Sequence, residues 1–339
     1  MNPSRLILPT ASVLAVAAVC TGCAGSQSAL DPMGLQAETL MHLMGTFVLI
    51  CSVIWLLVAA VLLRALRRKR RSVAAGTRID DATERGMKRS IFVAVAATLL
   101  VVIALTTLSF LATRRIAQDD SSALVVRVRA WQWWWEATYP DARPDRILVI
   151  ANEIHVPVGR TVRIELSAAD VIHSFWVPNL AGKMDMIPGR ETHLVFTATR
   201  AGIYRGQCAE FCGLQHAHMA FIVVADEPAA FEAWRSAQLA AAAQPAAGLA
   251  AAGQQVFAAK ACASCHTIRG TPAAGTLGPD LTHVGSRRTI AAGLFETTRG
   301  SFAAWIADPQ RLKPGSNMPM VELSADELNA VSAYMESLR

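Results

Sequence analysis

Four of the seven cysteines fall in two tight clusters, and each cluster points to its own metal chemistry. The run Cys208-Ala-Glu-Phe-Cys212-Gly-Leu-Gln-His216-Ala-His218-Met219 sets two thiols, an imidazole and a thioether within twelve residues. These soft donors suit copper better than magnesium or calcium. A mononuclear blue-copper site takes one Cys, two His and a weak axial Met. Here a second Cys stands four residues from the first, so two thiolates can bridge two copper ions with one imidazole on each. His173, expected in the turn after a strand at Thr161 to Leu166, is the candidate second imidazole. Two alternatives stand beside this reading. Cys208, Cys212, His216 and His173 would also make a tetrahedral zinc set, which leaves Met219 without a role, and paired cysteines in an exported domain can be disulfides.

The second cluster is Cys262-Ala-Ser-Cys265-His266, the spacing that attaches c-type haem. Two thiols add to the two vinyl groups, and the next residue brings an imidazole to the iron. A bare C-x-x-C also suits a redox pair or half a zinc site, readings that do not use His266. A haem kept for electron transfer needs a second axial ligand, and Met raises its potential. Downstream lie Met318 and Met320 in Lys313-Pro-Gly-Ser-Asn-Met318-Pro-Met320. His155, His193, His218 and His283 are read as non-ligands.

The elements that must position these groups show in the hydrophobic periodicity. Val126, Val128 and Ala130 alternate with Arg127 and Arg129, and further short runs follow at Ile147 to Ile150, Thr161 to Leu166, Thr192 to Thr197 and Ala220 to Val224. Turn residues separate them, as at Pro188-Gly189 and Ala201-Gly202. Short strands without intervening helices predict a Greek-key β-sandwich or barrel. Beyond Pro228 the chain is Ala-rich and reads as a partly helical linker. Helical periodicity returns at Gly253 to Ala263 and at Ser324 to Leu338, where Ser324 and Glu327 form a capping box.

Thr39 to Leu63 and Ser90 to Thr113 are free of Asp, Glu, Lys and Arg, each long enough for a membrane helix of roughly 20 residues. The net charge of +6 suggests a nucleic-acid or lipid partner until its distribution is read. Residues 64–89 alone carry ten basic and three acidic groups. A charge excess confined to one loop is a topology signal and not a nucleic-acid footprint, so the loop is expected in the cytoplasm and everything after Arg115 outside. Residues 1–23 resemble a secretory signal, and Cys20-Thr-Gly-Cys23 resembles a lipoprotein box, ordinary cleavage nearby being the alternative.

The string from Asp170 to Arg190, the cluster from Gln207 to Met219, the run Trp131-Gln-Trp133-Trp-Trp135 and the preceding helical hairpin together resemble cytochrome c oxidase subunit II, over about residues 35–226. The C-terminal part is similar to small class I cytochromes c, through Cys262 to His266, Gly278-Pro279 and the Met318-Pro319 loop. The composite resembles the caa-type oxidases, in which a cytochrome c is fused to subunit II. This resemblance implies a multi-domain membrane protein: a signal at 1–23, a transmembrane hairpin at 35–115 with its cytoplasmic loop at 64–89, a cupredoxin-like domain at 120–228, a linker at 229–247 and an all-α cytochrome c domain at 248–339. It implies a dinuclear copper-A centre bridged by Cys208 and Cys212, with His173 and His216 as terminal ligands and Met219 and the Glu210 carbonyl as weak axial ligands. It further implies a magnesium ion shared with subunit I through the Glu210 side chain, electron entry at Trp133, and a haem c on Cys262 and Cys265 ligated by His266 and Met318, with Met320 the alternative.

The function implied is electron entry into a respiratory haem-copper oxygen reductase of the bacterial cell membrane, with the oxygen-reducing site in another subunit. Expected partners are subunit I and other oxidase subunits, cytochrome c or another periplasmic or membrane donor, and the lipid bilayer. A stand-alone membrane redox carrier and a copper-delivery module are the other classes to weigh. The first would need no polytopic partner and the second would have no use for a haem. One departure stands: the segment from Glu84 to Phe92 does not align clearly with the Glu that in many subunits II feeds a proton channel.

Overall fold

The computed structural model describes residues 24–72, 81–118 and 120–339; the expected signal at 1–23 and residues 73–80 of the basic loop lie outside them. The described residues form two compact units, Glu38–Gln118 and the remainder.

The first unit is a pair of long helices, α1 (Leu35–Ser72) and α2 (Asp81–Ile116). Their most apolar 18-residue windows have mean hydropathies of 2.8 and 2.7, and none of either window is buried by protein. Large apolar side chains such as Trp55, Leu57, Phe92 and Leu100 are exposed along both helices. A helix apolar all round that buries nothing in protein has lipid as its natural solvent. Hydroxyls of Thr46, Thr98, Thr107 and Thr113 each donate to the carbonyl four residues back at 2.9 Å, which satisfies them without water.

The second unit begins with a two-sheet β-domain. One sheet has the order β3 (Leu148–Ala151), β2 (Trp134–Tyr139), β1 (Leu124–Trp131), β5 (Thr161–Ala168), β8 (Thr192–Thr197). The other runs β4 (Glu153–Pro157), β10 (Ala220–Asp226), β9 (Gly202–Cys208), β6 (His173–Trp176), β7 (Met184–Met186). The pairs β1·β5 and β10·β4 are parallel and the rest antiparallel. In β1 the alternation read from sequence holds: Val126, Val128 and Ala130 are buried while Arg127 and Arg129 face solvent. Trp135, Tyr139, Phe175, Phe196 and Phe221 fill the core, with Trp135 against Phe221 at 4.9 Å.

Helix α3 (Pro228–Leu239) opens the Ala-rich stretch. It is packed down: Phe231 is buried and Trp234 stacks on His155 at 4.0 Å. The C-terminal part contains α4 (Leu249–Ala259), the one-turn α5 (Cys262–Cys265), a short hairpin of β11 (Thr289–Ile290) and β12 (Phe295–Glu296), α6 (Arg299–Ala307), α7 (Pro309–Leu312) and α8 (Ala325–Ser337). The Ser324–Glu327 capping box is formed at the start of α8. Phe257, Ile268, Val331, Tyr334 and Leu338 make a separate core.

Candidate metal centres

Strand β9 ends at Cys208, and the loop from 209 to 219 is closed where the Cys208 amide donates to the Met219 carbonyl at 3.0 Å. Strand β6 lies beside β9, with Phe175 paired to Cys208. His173 is therefore the first residue of a strand and not a turn residue as the sequence suggested. The sheet carries it to the thiols across 35 positions of sequence: His173 Nδ1 is 3.9 Å from Cys208 Sγ. On the other side, Cys212 Sγ lies 3.6 Å from His216 Nδ1 and 3.7 Å from Met219 Sδ. The Glu210 carbonyl accepts from Cys208 Sγ at 3.2 Å, so it too faces the cluster. The ligand atoms of His173, Cys208 and Cys212 all lie within 4.8 Å of one another. Cys208, Cys212, Cys262 and Cys265 are all outside disulfides.

The thiols behave as a pair. A hydrogen bond from Cys212 overrides burial and, with His173, brings Cys208 down to about 4, while the same bond and burial push Cys212 up. Burial opposes charge on His173, but its bonds to Cys208 and Asp170 outweigh that and raise it. A pocket with two buried cysteine sulfurs, two imidazole Nδ1 atoms and a thioether fits copper. Met219, only 1% exposed and in contact with Cys212 Sγ, has no place in a four-coordinate zinc set.

Asp170 is the residue that sequence reasoning missed. Its Oδ1 holds His173 Nε2 at 2.8 Å, so the opposite nitrogen is presented to the thiols. Its Oδ2 accepts from the Gln132 amide at 2.6 Å, which ties the tryptophan run to the same carboxylate. The available signal was its position three residues before His173. Trp133 is 7% exposed, and its Nε1 donates to the Cys212 carbonyl at 2.9 Å. Glu210 is half exposed, and its carboxylate lies 3.7 Å from the Lys183 ammonium.

In the C-terminal part, Cys262, Cys265 and His266 form one turn and its cap. His266 Nδ1 bonds the Pro279 carbonyl at 2.8 Å, which leaves Nε2 for an iron. Burial lowers its pKa and favours the neutral, ligating form. Gly278 packs flat on the ring: a Cβ there would sit 2.6 Å from His266 Cε1. This cradle fits a haem bound on the Nε2 side. The Met loop is shaped by Gln310, whose Nε2 donates to the carbonyls of Ser316 at 2.6 Å and Met318 at 2.8 Å. Met318 is half-buried and Met320 is 62% exposed. His155 bonds Asp226 and Glu153, His218 bonds Gln215, and His283 bonds two backbone carbonyls, so all three imidazoles have protein partners.

Two membrane-type helices, a two-sheet domain with paired buried thiols and a helical domain with a haem-attachment turn define a membrane-bound, cytochrome-fused protein of the cupredoxin-like class. Residues 141–226 match the family "Cytochrome C oxidase subunit II, periplasmic domain" and residues 250–339 match "Cytochrome c". Cytochrome c oxidase subunit 2 of Alkalihalophilus pseudofirmus is 33% identical over 333 residues, 94% of this chain and 93% of the relative. That of Bacillus subtilis is 35% identical over 236 residues, 66% of this chain and 64% of the relative. The crystal structure of the periplasmic domain of subunit II of cytochrome oxidase from Bradyrhizobium japonicum is 30% identical, covering 36% of this chain and 96% of its own, with a TM-score of 0.34. The chain belongs to the cytochrome c oxidase subunit 2 family and is a subunit II of a haem-copper oxidase carrying a cytochrome c domain. Its two soluble domains imply copper-A and haem c binding in general.

Proposed function

We propose that this chain is the electron-entry subunit of its oxidase, passing electrons from a donor through covalent haem c to dinuclear copper A and on to subunit I, where oxygen is reduced to water. Cys262 and Cys265 attach the haem, His266 and Met318 ligate it, and Cys208, Cys212, His173, His216, Met219 and the Glu210 carbonyl hold the copper pair. The bound groups supply one-electron redox chemistry, and the side chains position them. Glu210 extends to a magnesium ion shared with subunit I. The chain is a multi-pass protein of the bacterial inner membrane, with the basic loop cytoplasmic and both soluble domains outside. The donor is a cytochrome c or another periplasmic or membrane carrier.

The observation that carries this reading is Trp133. One end of its indole donates to the carbonyl of Cys212, and the other end lies under Gly315, three residues before Met318: a Cβ on Gly315 would be 3.2 Å from Trp133 Cη2. One aromatic residue thus touches both ligand loops.

Metal analysis with an optical spectrum of the purified oxidase tests the proposal. Two coppers and one covalent haem c per chain are expected. A zinc-only site from copper-replete cells, or haem extractable into acidified organic solvent, would sink it. A reporter active only in the cytoplasm should work when inserted near Ala75 and fail after Arg339; the reverse would overturn the topology.

A further inference from the structure

Lys313 lies outside both ligand sets, yet it is 2% exposed. Its ammonium donates to three carbonyls: His218 at 2.8 Å, Trp133 at 2.9 Å and Ala291 at 3.1 Å. An ammonium has three protons and no acceptor, so every donor is used. The three carbonyls belong to three separate segments. Trp133 ends the β1–β2 turn, His218 stands in the copper loop one residue before Met219, and Ala291 is in the turn between β11 and β12. Lys313 itself follows α7 and leads into the loop of Met318. One buried cation therefore gathers two loops of the β-domain and two of the helical domain.

The surroundings are built to the same end. Gln215 Nε2 donates to the Pro314 carbonyl at 2.9 Å, and the Ala220 amide donates to the Ala292 carbonyl at 3.0 Å. Ala291 and Ala292 are left-handed, with φ of 53° and 60°, a conformation alanine adopts at a cost. That conformation turns the Ala291 carbonyl to Lys313 and the Ala292 carbonyl to β10. Burial pulls the Lys313 pKa down to about 7. An apolar side chain would serve contact alone. A buried charge satisfied from both sides specifies one relative placement, because any slip of one domain strands it.

We propose that Lys313 is a positioning residue for electron transfer, its ammonium locking the Met318 loop onto Trp133 so that the two redox domains are held in one docked arrangement. The inference rests on the haem-to-copper reading above.

The test uses the intact, metal-loaded oxidase with Lys313→Met, which keeps an unbranched stem one atom shorter and removes the ammonium and its charge. Haem-to-copper transfer after rapid reduction should slow by about tenfold or more, the scale of losing a hydrogen bond to a charged group. Amide exchange at residues 291–293 and 313–318 should accelerate by a similar factor, while the copper signature and the haem absorption bands stay unchanged. Gln310→Ala, which loosens the Met loop from within its own domain, should instead alter the haem bands. If the wild type passes no electron between the two sites, the functional reading fails and the positioning role fails with it. If the wild type passes electrons and Lys313→Met does so at the same rate with unchanged exchange, Lys313 positions nothing. Should Lys313→Met not assemble, Gln215→Ala decides: faster exchange across 313–318 with intact spectra supports the lock, and unchanged exchange overturns it.

Discussion

Substituting Asp170 by Asn changes one atom and one charge beside the thiol loop, and the two carboxylate oxygens feel it differently. At Oδ1 an amide oxygen can still accept from His173 Nε2, now at 2.8 Å without charge assistance. At Oδ2 an NH2 group would face the Gln132 amide, a donor against a donor at 2.6 Å. The Asn must then either rotate and release His173 or keep His173 and displace the tryptophan run. A hydrogen bond to a charged group is worth about 1.5–3 kcal/mol, and loss of such a partner lowers metal affinity about 10–100-fold. Asp170→Ala removes both interactions and should lie at the upper end, with Asp170→Asn below it. Competition against a copper chelator of known affinity measures the loss, and the electron paramagnetic resonance spectrum reports the histidine coupling. An affinity for Asp170→Ala within about twofold of the wild type, a difference of about 0.4 kcal/mol, would refute the claim that this carboxylate fixes the imidazole.

Further expectations attach to single side chains. Met318→His should leave the haem covalently attached but lower its potential, because imidazole stabilises ferric iron relative to a thioether; redox titration checks this, and a shift seen with Met320→His instead moves the assignment to Met320. Met219→Leu should perturb the copper spectrum and leave the haem bands unchanged, since axial ligation acts on its own metal; a change in the haem bands would contradict two separate centres. Glu153 is buried, which raises its pKa, but its bonds to His155 and to the Arg288 amide at 2.8 Å outweigh burial and lower it. The stability it contributes is therefore present above its ordinary value of 4.5 and is lost as pH falls through the lowered one. Glu153→Gln should cost about 1.5–3 kcal/mol near neutral pH and flatten that acid limb in thermal unfolding; an unchanged limb would show that Glu153 is not the titrating group.

What could be read from the sequence followed its locality. Cys208 to Met219 and Cys262 to His266 are contiguous, so ligand type and spacing were on the surface of the chain. Strand β1 alternates cleanly and was legible. Strand β4 was not, because all five residues from Glu153 to Pro157 are buried and two are a glutamate and a histidine that satisfy one another. In β2 the alternation is real but lies within a run of tryptophans. His173 was identified while its strand was missed, since β6 is four residues long and is held by β9 rather than by its own pattern. Asp170 offered only its place three residues before His173, and Lys313 acts through bonds that exist only once the loops have met, which no spacing announces.

The contact between Gly315 and Trp133 joins two halves of one polypeptide, so it forms by a first-order event. Diluting the oxidase cannot weaken it, and neither half can be outcompeted by a free molecule at equal concentration. On the proposed route only the arrival of a donor remains second order. On that route, kinetic traces taken over a wide range of enzyme concentration should separate into one phase that scales with donor and one that does not, and the step across this contact falls in the second.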